Sequence, residues 1–336
     1  MLSSEISRYK SLDFFARQVV EGFITGRHRS PFHGFSAEFS DYRQYNTGES
    51  TRNIDWRLYG RTDRLYIKQF EEETNLRCQL VIDHSGSMLF PLEGQGEIEH
   101  PNKLTFSVYA AAVLVEILHR QRDAFGLTLI STPSTPLTSH LVPELVEGSP
   151  FTLHTPCRST TAHQQHLYTE LENLLHPHDP SKFSTLNSQF SISQALHLLA
   201  EQLHRRSLVV IFTDAFTNSV TQSPSHSDTQ EALFDALRHL RHNKHEVILF
   251  HTFDRARELQ LDYDARPYRF VDLESGDTLK LNPSEIAATY RQQMEQMQAD
   301  LQQHALQYRI DYIPVDVQQG FHQILLPFLL KRSKQQ

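Results

Sequence analysis

Two short apolar runs, each ending in an aspartate, set the architecture of this chain. Leu80-Val81-Ile82 runs into Asp83, and Leu208-Val209-Val210-Ile211-Phe212 runs through Thr213 into Asp214. A run of this length bounded by polar turn residues is what a strand buried on both faces of a parallel sheet looks like. Ligands of open α/β sheets gather outside the carboxyl ends of such strands, and two of those ends can lie side by side. The two acids are therefore candidates for a single site.

The first of them opens a loop, Asp83-His84-Ser85-Gly86-Ser87, with oxygen-bearing side chains at every second position. One carboxylate and two hydroxyls suit a hard cation such as Mg²⁺, with Mn²⁺ as a substitute; Mg²⁺ tolerates few protein ligands and keeps several waters. The expected ligand set is Asp83, Ser85, Ser87 and Asp214, the last directly or through water. A plainer reading stays open beside it. An Asx-type turn after a strand, with Ser capping the next element, explains Asp83 and Ser85 without a metal.

Around these loops the pattern alternates between strands and helices. Helical stripes are expected over 12–24, 103–121 (Leu104, Val108, Ala111, Val115, Leu118), 161–175, 192–203 and 229–242, and strands over 76–82, 125–130, 208–213, 246–251 and 308–313. That order implies crossovers and a mainly parallel, doubly wound sheet covered on both faces. Residues 131–156, rich in Pro, Ser and Thr, read as an irregular hairpin or long loop, and Phe270–Leu273 as an edge strand. Asn282-Pro283-Ser284-Glu285 reads as a helix start with Asn as the cap, and Ile286, Tyr290, Met294, Met297 and Leu301 as that helix's core stripe. A last, Pro-interrupted helix is expected over 321–330. Residues 27–75 read as two or three short strands with turns at Thr47-Gly48 and Gly60, with Trp56 buried, and with Arg43, Arg52, Arg57, Arg61 and Arg64 facing a comparable number of acids. The expected divisions are 1–75, an N-terminal helix and small β-rich appendage; 76–255, the α/β domain; and 256–336, an edge strand and helices packing on it.

Composition narrows the partners. With 32 Lys and Arg against 40 Asp and Glu, the net charge of the 336-residue chain is −8. Nucleic acid and anionic membranes call for a dominant basic face, so neither is an expected partner. The first residues lack the apolar core of a signal peptide and no run is long enough for a spanning helix, so the chain reads as cytoplasmic. Cys78 and Cys157 suggest neither a disulfide framework nor a zinc site, and the 20 histidines scatter in a way that reads as solvated surface.

Asp83-x-Ser85-x-Ser87 resembles the metal-ion-dependent adhesion site of von Willebrand factor A domains. From Val19 onward, VVEGFITGRHRSPFHGFSAEFSDYRQYNTGESTRNIDWRLYGRTDRLYIKQFEEETNLR is similar to the signature region of the bacterial domain-of-unknown-function 58 family, a likeness that continues through VIDHSGSM, RRSLVVIFTDAF and HNKHEVILFHTFD. The resemblance implies a von Willebrand factor A-like fold. It also implies work beside a MoxR-type AAA+ ATPase and a client protein, since genes of this family commonly accompany such ATPases. One position departs from the adhesion-site pattern: Phe190 stands where a metal-ligating Thr is expected, with Ser188, Ser191 and Ser193 as neighbouring hydroxyls. The reading is a non-enzymatic protein-interaction module. Its alternatives are a metal-dependent phosphohydrolase, opposed by the absence of a phosphate-binding Gly-Lys-Ser/Thr motif, and a structural descendant with a dead metal site.

Overall fold

The computed structural model describes residues 11–25, 41–44, 56–63, 65–69, 76–94, 97–130, 150–176, 191–215, 226–273 and 277–333. Its centre is a six-stranded, mostly parallel sheet with helices, a mixed α/β arrangement. Strand β3 (Arg77–Asp83) lies between β4 (Ala124–Ile130) and β6 (Leu208–Thr213); β5 (Phe151–His154) lies outside β4, and β7 (Glu246–Phe253) and then β10 (Asp311–Asp316) lie outside β6. Only β5 runs antiparallel to its neighbour. From β3 the chain steps first to β4 on one side and later to β6 on the other. The crevice between β3 and β6 is thus the point where strand order reverses, the place where ligands of such sheets bind.

Period-two burial explains why these runs are strands. Val81, Val209, Ile211, Val247 and Leu249 form one core cluster with Leu196 and Leu199 of α5 (Ile192–Gln202) and with Leu233 and Leu237 of α6 (His226–His242). The intervening residues Leu80, Ile82, Val210 and Phe212 are equally buried and face the other way along the pleat. Helix α3 (Lys103–Arg120) packs on β3 and β4 and is buried from Lys103 through Leu118, charged residues included. A stripe was expected; a helix enclosed on all sides is what its apolar run Ala110–Val115 delivers. Glu116, inside that helix, is held by Arg120 at 2.6 Å and by the Gln164 amide of α4 (Thr161–Leu175) at 2.9 Å.

The chain divides into two compact units, Met1–His28 with Leu76–Gln336, and Arg29–Asn75. Helix α1 (Leu12–Thr25) belongs to the first: the Leu12 N–H donates to Glu172 at 2.8 Å, and Phe15 meets Tyr109 edge-on. The expected 1–75 division is therefore shared between the two units. The second unit contains β1 (Asp41–Gln44) paired antiparallel with β2 (Tyr66–Gln69), and α2 (Trp56–Thr62). Gly60 lies inside that helix and not at a turn, and the local run closes helical backbone hydrogen bonds such as that from the Asp63 N–H to Tyr59 O at 2.9 Å. The Trp56 side chain and the Thr47-Gly48 turn lie outside the described residues.

Other expectations change in the C-terminal part. Tyr268–Val271 (β8) is not an edge of the main sheet; it pairs antiparallel with Thr278–Leu281 (β9) in a sheet of its own. Helix α7 (Pro283–Gln307) starts as expected, yet the Asn282 side chain does not cap it. That side chain instead accepts from the Ser284 hydroxyl and donates to Glu285. Of the anticipated stripe only Leu301 is buried, and Ile286 is 39% exposed, since just the C-terminal half of α7 meets the core. Helix α8 (His322–Ser333) carries Pro327 inside it. Residues 131–149 lie outside the described residues, while the end of that Pro-rich stretch forms β5. No described helix is long and apolar enough to cross a membrane. Histidines His84, His163, His245 and His251 are buried, contrary to a wholly solvated set.

Candidate functional site

Parallel register brings the two acid-bearing strand ends together. Ile82 pairs with Phe212, so Asp83 and Thr213 meet at the carboxyl edge and Asp214 comes directly after. The first carboxylate is held by neutral donors: Asp83 Oδ1 accepts the Ser85 N–H at 3.0 Å and Oδ2 accepts the Thr213 hydroxyl at 2.7 Å. Thr213 in turn accepts the N–H of Ala215, whose φ of 58° turns the chain sharply away from the strand. The Asx-type turn is thus present.

The loop after Asp83 tightens into a short 3-10 turn, Gly86–Leu89, with the Ser85 and Ser87 hydroxyls 3.0 Å apart. Ser85 is buried and Ser87 half-buried. His84 is tied back to β4 by its N–H on the Ile130 carbonyl. Two of the expected ligands therefore form a hydroxyl pair beside a third, all on one loop.

The fourth is engaged differently. Asp214 is fully buried and its Oδ2 accepts the ammonium of Lys103 at 2.9 Å. The same Nζ donates to Glu258 Oε1 at 2.5 Å, and the Lys103 side chain is only 1% exposed. Lys103 is the first residue of α3, after the cap Asn102, whose side chain accepts the Thr105 N–H at 2.7 Å. A cation is unfavourable at a helix N-terminus, where the backbone already carries positive partial charge. Burial pulls the lysine pKa down; Asp214 and Glu258 together outweigh it and hold the ammonium above the ordinary lysine range. Glu258 sits in the turn Arg255–Leu259 after β7, where its other oxygen accepts the Asp254 N–H at 2.7 Å. Burial raises the Glu258 carboxyl above its ordinary range, and the neighbouring ammonium offsets this only in part.

These contacts bear on the expected Mg²⁺. Mg²⁺ demands near-octahedral oxygens at about 2.0–2.1 Å and strong negative charge from its few protein ligands. Asp214, the second charge of the expected set, already carries a fixed cation at 2.9 Å. Unit charges about 4 Å apart repel by about 4 kcal/mol at the effective dielectric of such sites, and a divalent ion doubles that. The remaining donors, Asp83, Ser85 and Ser87, supply one charge. This set does not fit a tightly held divalent cation.

The neighbouring hydroxyls add little to it. Phe190 and Ser188 lie outside the described residues. Ser191 is the N-cap of α5 and forms a capping box with Gln194, and the buried Ser193 hydroxyl has no hydrogen-bond partner among the described residues. Among the described residues no group of three or more His, Cys, Asp or Glu converges in a metal-binding arrangement.

Thr213, Lys103 and Glu258 complete the site and were not anticipated. Thr213 precedes Asp214 at a strand end and is legible as a neighbour in register; Lys103 and Glu258 lie 111 and 155 residues from their partners across the ion-pair network.

Comparison with known proteins agrees on the family. The family described as "Protein of unknown function DUF58" matches residues 41–304. The uncharacterized proteins Rv1480 of Mycobacterium tuberculosis and Mb1516 of Mycobacterium bovis are each 28% identical over 81 residues, 24% of this chain and 26% of theirs. The match thus spans well under two thirds of those relatives' length. Among solved structures, the pilus adhesin SpaC from Lactobacillus rhamnosus GG aligns at 12% identity and a TM-score of 0.37, covering 77% of this chain and 30% of the adhesin. The PilB minor pilin from Streptococcus sanguinis aligns at 10% identity and a TM-score of 0.38, covering 81% of this chain and 64% of the pilin.

Proposed function

This chain belongs to the DUF58 family, and from that premise we propose that it is a cytoplasmic, non-enzymatic protein-interaction module of von Willebrand factor A type. Its partners on this reading are a MoxR-type AAA+ ATPase and a client protein that the pair remodels or assembles. The observation that carries the reading is the strand-end network in which Asp83 holds Ser85 and Thr213 while the Ser85 and Ser87 hydroxyls pair at the edge. It lies at the switch point of the sheet, where such folds receive ligands.

The network is built for positioning. An aspartate nucleophile needs an unencumbered oxygen and a neighbouring acid or base. Both oxygens of Asp83 are occupied by donors of its own loop and of β6. Ser87, half-buried at the edge of the network, is the hydroxyl a partner reaches first.

The experiment is capture of the cognate MoxR-type ATPase by purified wild type, Ser87→Ala and Asp83→Ala. Each variant is expected to lose binding by about tenfold or more, roughly the 1.4 kcal/mol of one good interfacial hydrogen bond. Ser87→Ala should leave the unfolding midpoint in place. Equal capture by all three proteins contradicts the reading.

A further inference from the structure

We propose that the ammonium of Lys103 is the resident cation of this site, a tethered charge held between Asp214 and Glu258 in place of a divalent ion. The inference takes up the same strand-end site as the docking reading and rests on it for the site's role. Its own support is geometric.

Three elements converge on one nitrogen. Asp214 ends β6, Glu258 comes after β7, and Lys103 opens α3; Nζ lies 2.9 Å from the first carboxylate and 2.5 Å from the second. The 2.9 Å separation is a charge-assisted N–H···O distance, and both separations are longer than the coordination distance of Mg²⁺. Lysine is a compact point charge with three donors on a flexible stem, which allows it to satisfy carboxylates that arrive from different directions. It is also buried to 1% exposure at a helix start, where the backbone dipole opposes it. The helix dipole itself disfavours a lysine there. The two carboxylates favour it, and they have no comparable claim on a neutral residue.

Glu258 is also fixed for this task. The turn that carries it is capped by Asp254, which accepts the Arg257 N–H at 3.0 Å, and Glu258 closes back on the Asp254 N–H. The ion pair therefore joins the ends of adjacent strands β6 and β7 to the start of α3. An ion supplied from solution would make this link conditional on its concentration. A covalently held ammonium makes it permanent, and it places positive charge on Asp214, the strand-end acid expected to reach the metal directly or through water.

The test is a Mn²⁺ titration by calorimetry, with thermal unfolding in Mg²⁺ or EDTA, on the full chain. The titration needs no partner, so it identifies the cation whether or not the docking reading holds. Wild type is expected to give no saturable Mn²⁺ binding below millimolar concentration and the same unfolding midpoint in both buffers. Lys103→Met takes the ammonium away from Asp214 and Glu258, and should bind Mn²⁺ at least about tenfold more tightly than wild type and unfold later in Mg²⁺ than in EDTA. Where that variant does not fold, Lys103→Met combined with Glu258→Gln removes one buried charge and is expected to show the same gain. Micromolar Mn²⁺ binding by wild type that Asp214→Asn abolishes overturns the proposal. So does a folded Lys103→Met protein, single or double, that gains nothing from either metal.

Discussion

Asp83 and Asp214 end adjacent strands of one sheet, are both buried, and are satisfied by opposite means. Asp83 takes a backbone N–H and a threonine hydroxyl, both neutral and both from residues within the sheet edge. Asp214 takes a buried ammonium that it shares with Glu258. Neutral donors shape a loop and leave its outer hydroxyls available; an ion pair in low dielectric locks elements together and is costly to disturb. The difference assigns the two halves of the site different work. On the proposed reading, the Asp83 loop is the face offered to a partner, and the Asp214 cluster is its anchor.

The contrast can be broken from its stronger side first. Lys103→Met leaves two carboxylates buried without their cation, and breaking a buried pair in this way costs about 3–5 kcal/mol. Urea unfolding should show that loss as a lower midpoint with an unchanged slope. Asp83 offers the weaker test. Thr213→Val keeps the shape of the β6 end and removes the hydroxyl on Asp83 Oδ2, a loss of about 1–3 kcal/mol for a charged acceptor left short of a donor. If Thr213→Val proves as damaging as Lys103→Met, the two acids are not held by different means.

Legibility in the sequence tracks the range of the interactions involved. Leu80–Ile82 and Leu208–Phe212 announce their strands because an apolar run needs only its own residues to be recognised, and the structure has them at Arg77–Asp83 and Leu208–Thr213. The Pro283 start of α7 is local in the same sense. Lys103 was opaque. Beside Asn102 it looks like any polar residue at a helix start, and its meaning comes from an acid 111 residues away and another 155 residues away. Gly60 misled in the other direction: a glycine inside a charged stretch signals a turn, yet α2 runs through it, with no described residue placed where its missing side chain would be. The buried histidines obey the same rule, since His251 is enclosed by β7 and Tyr312 of the adjacent β10, a pairing that no local pattern carries. Burial pushes its pKa down to about 4.

The most direct test of the central claim watches the Lys103 nitrogen itself. Nitrogen NMR of lysine-labelled protein is expected to show one ammonium whose protons exchange slowly, as burial at 1% exposure requires, and to lose that signal in Lys103→Met. Addition of millimolar Mg²⁺ should leave its position and exchange rate unchanged. A shift of that resonance, or its disappearance as Mg²⁺ is added, would show the ion displacing the ammonium from Asp214 and would contradict the account.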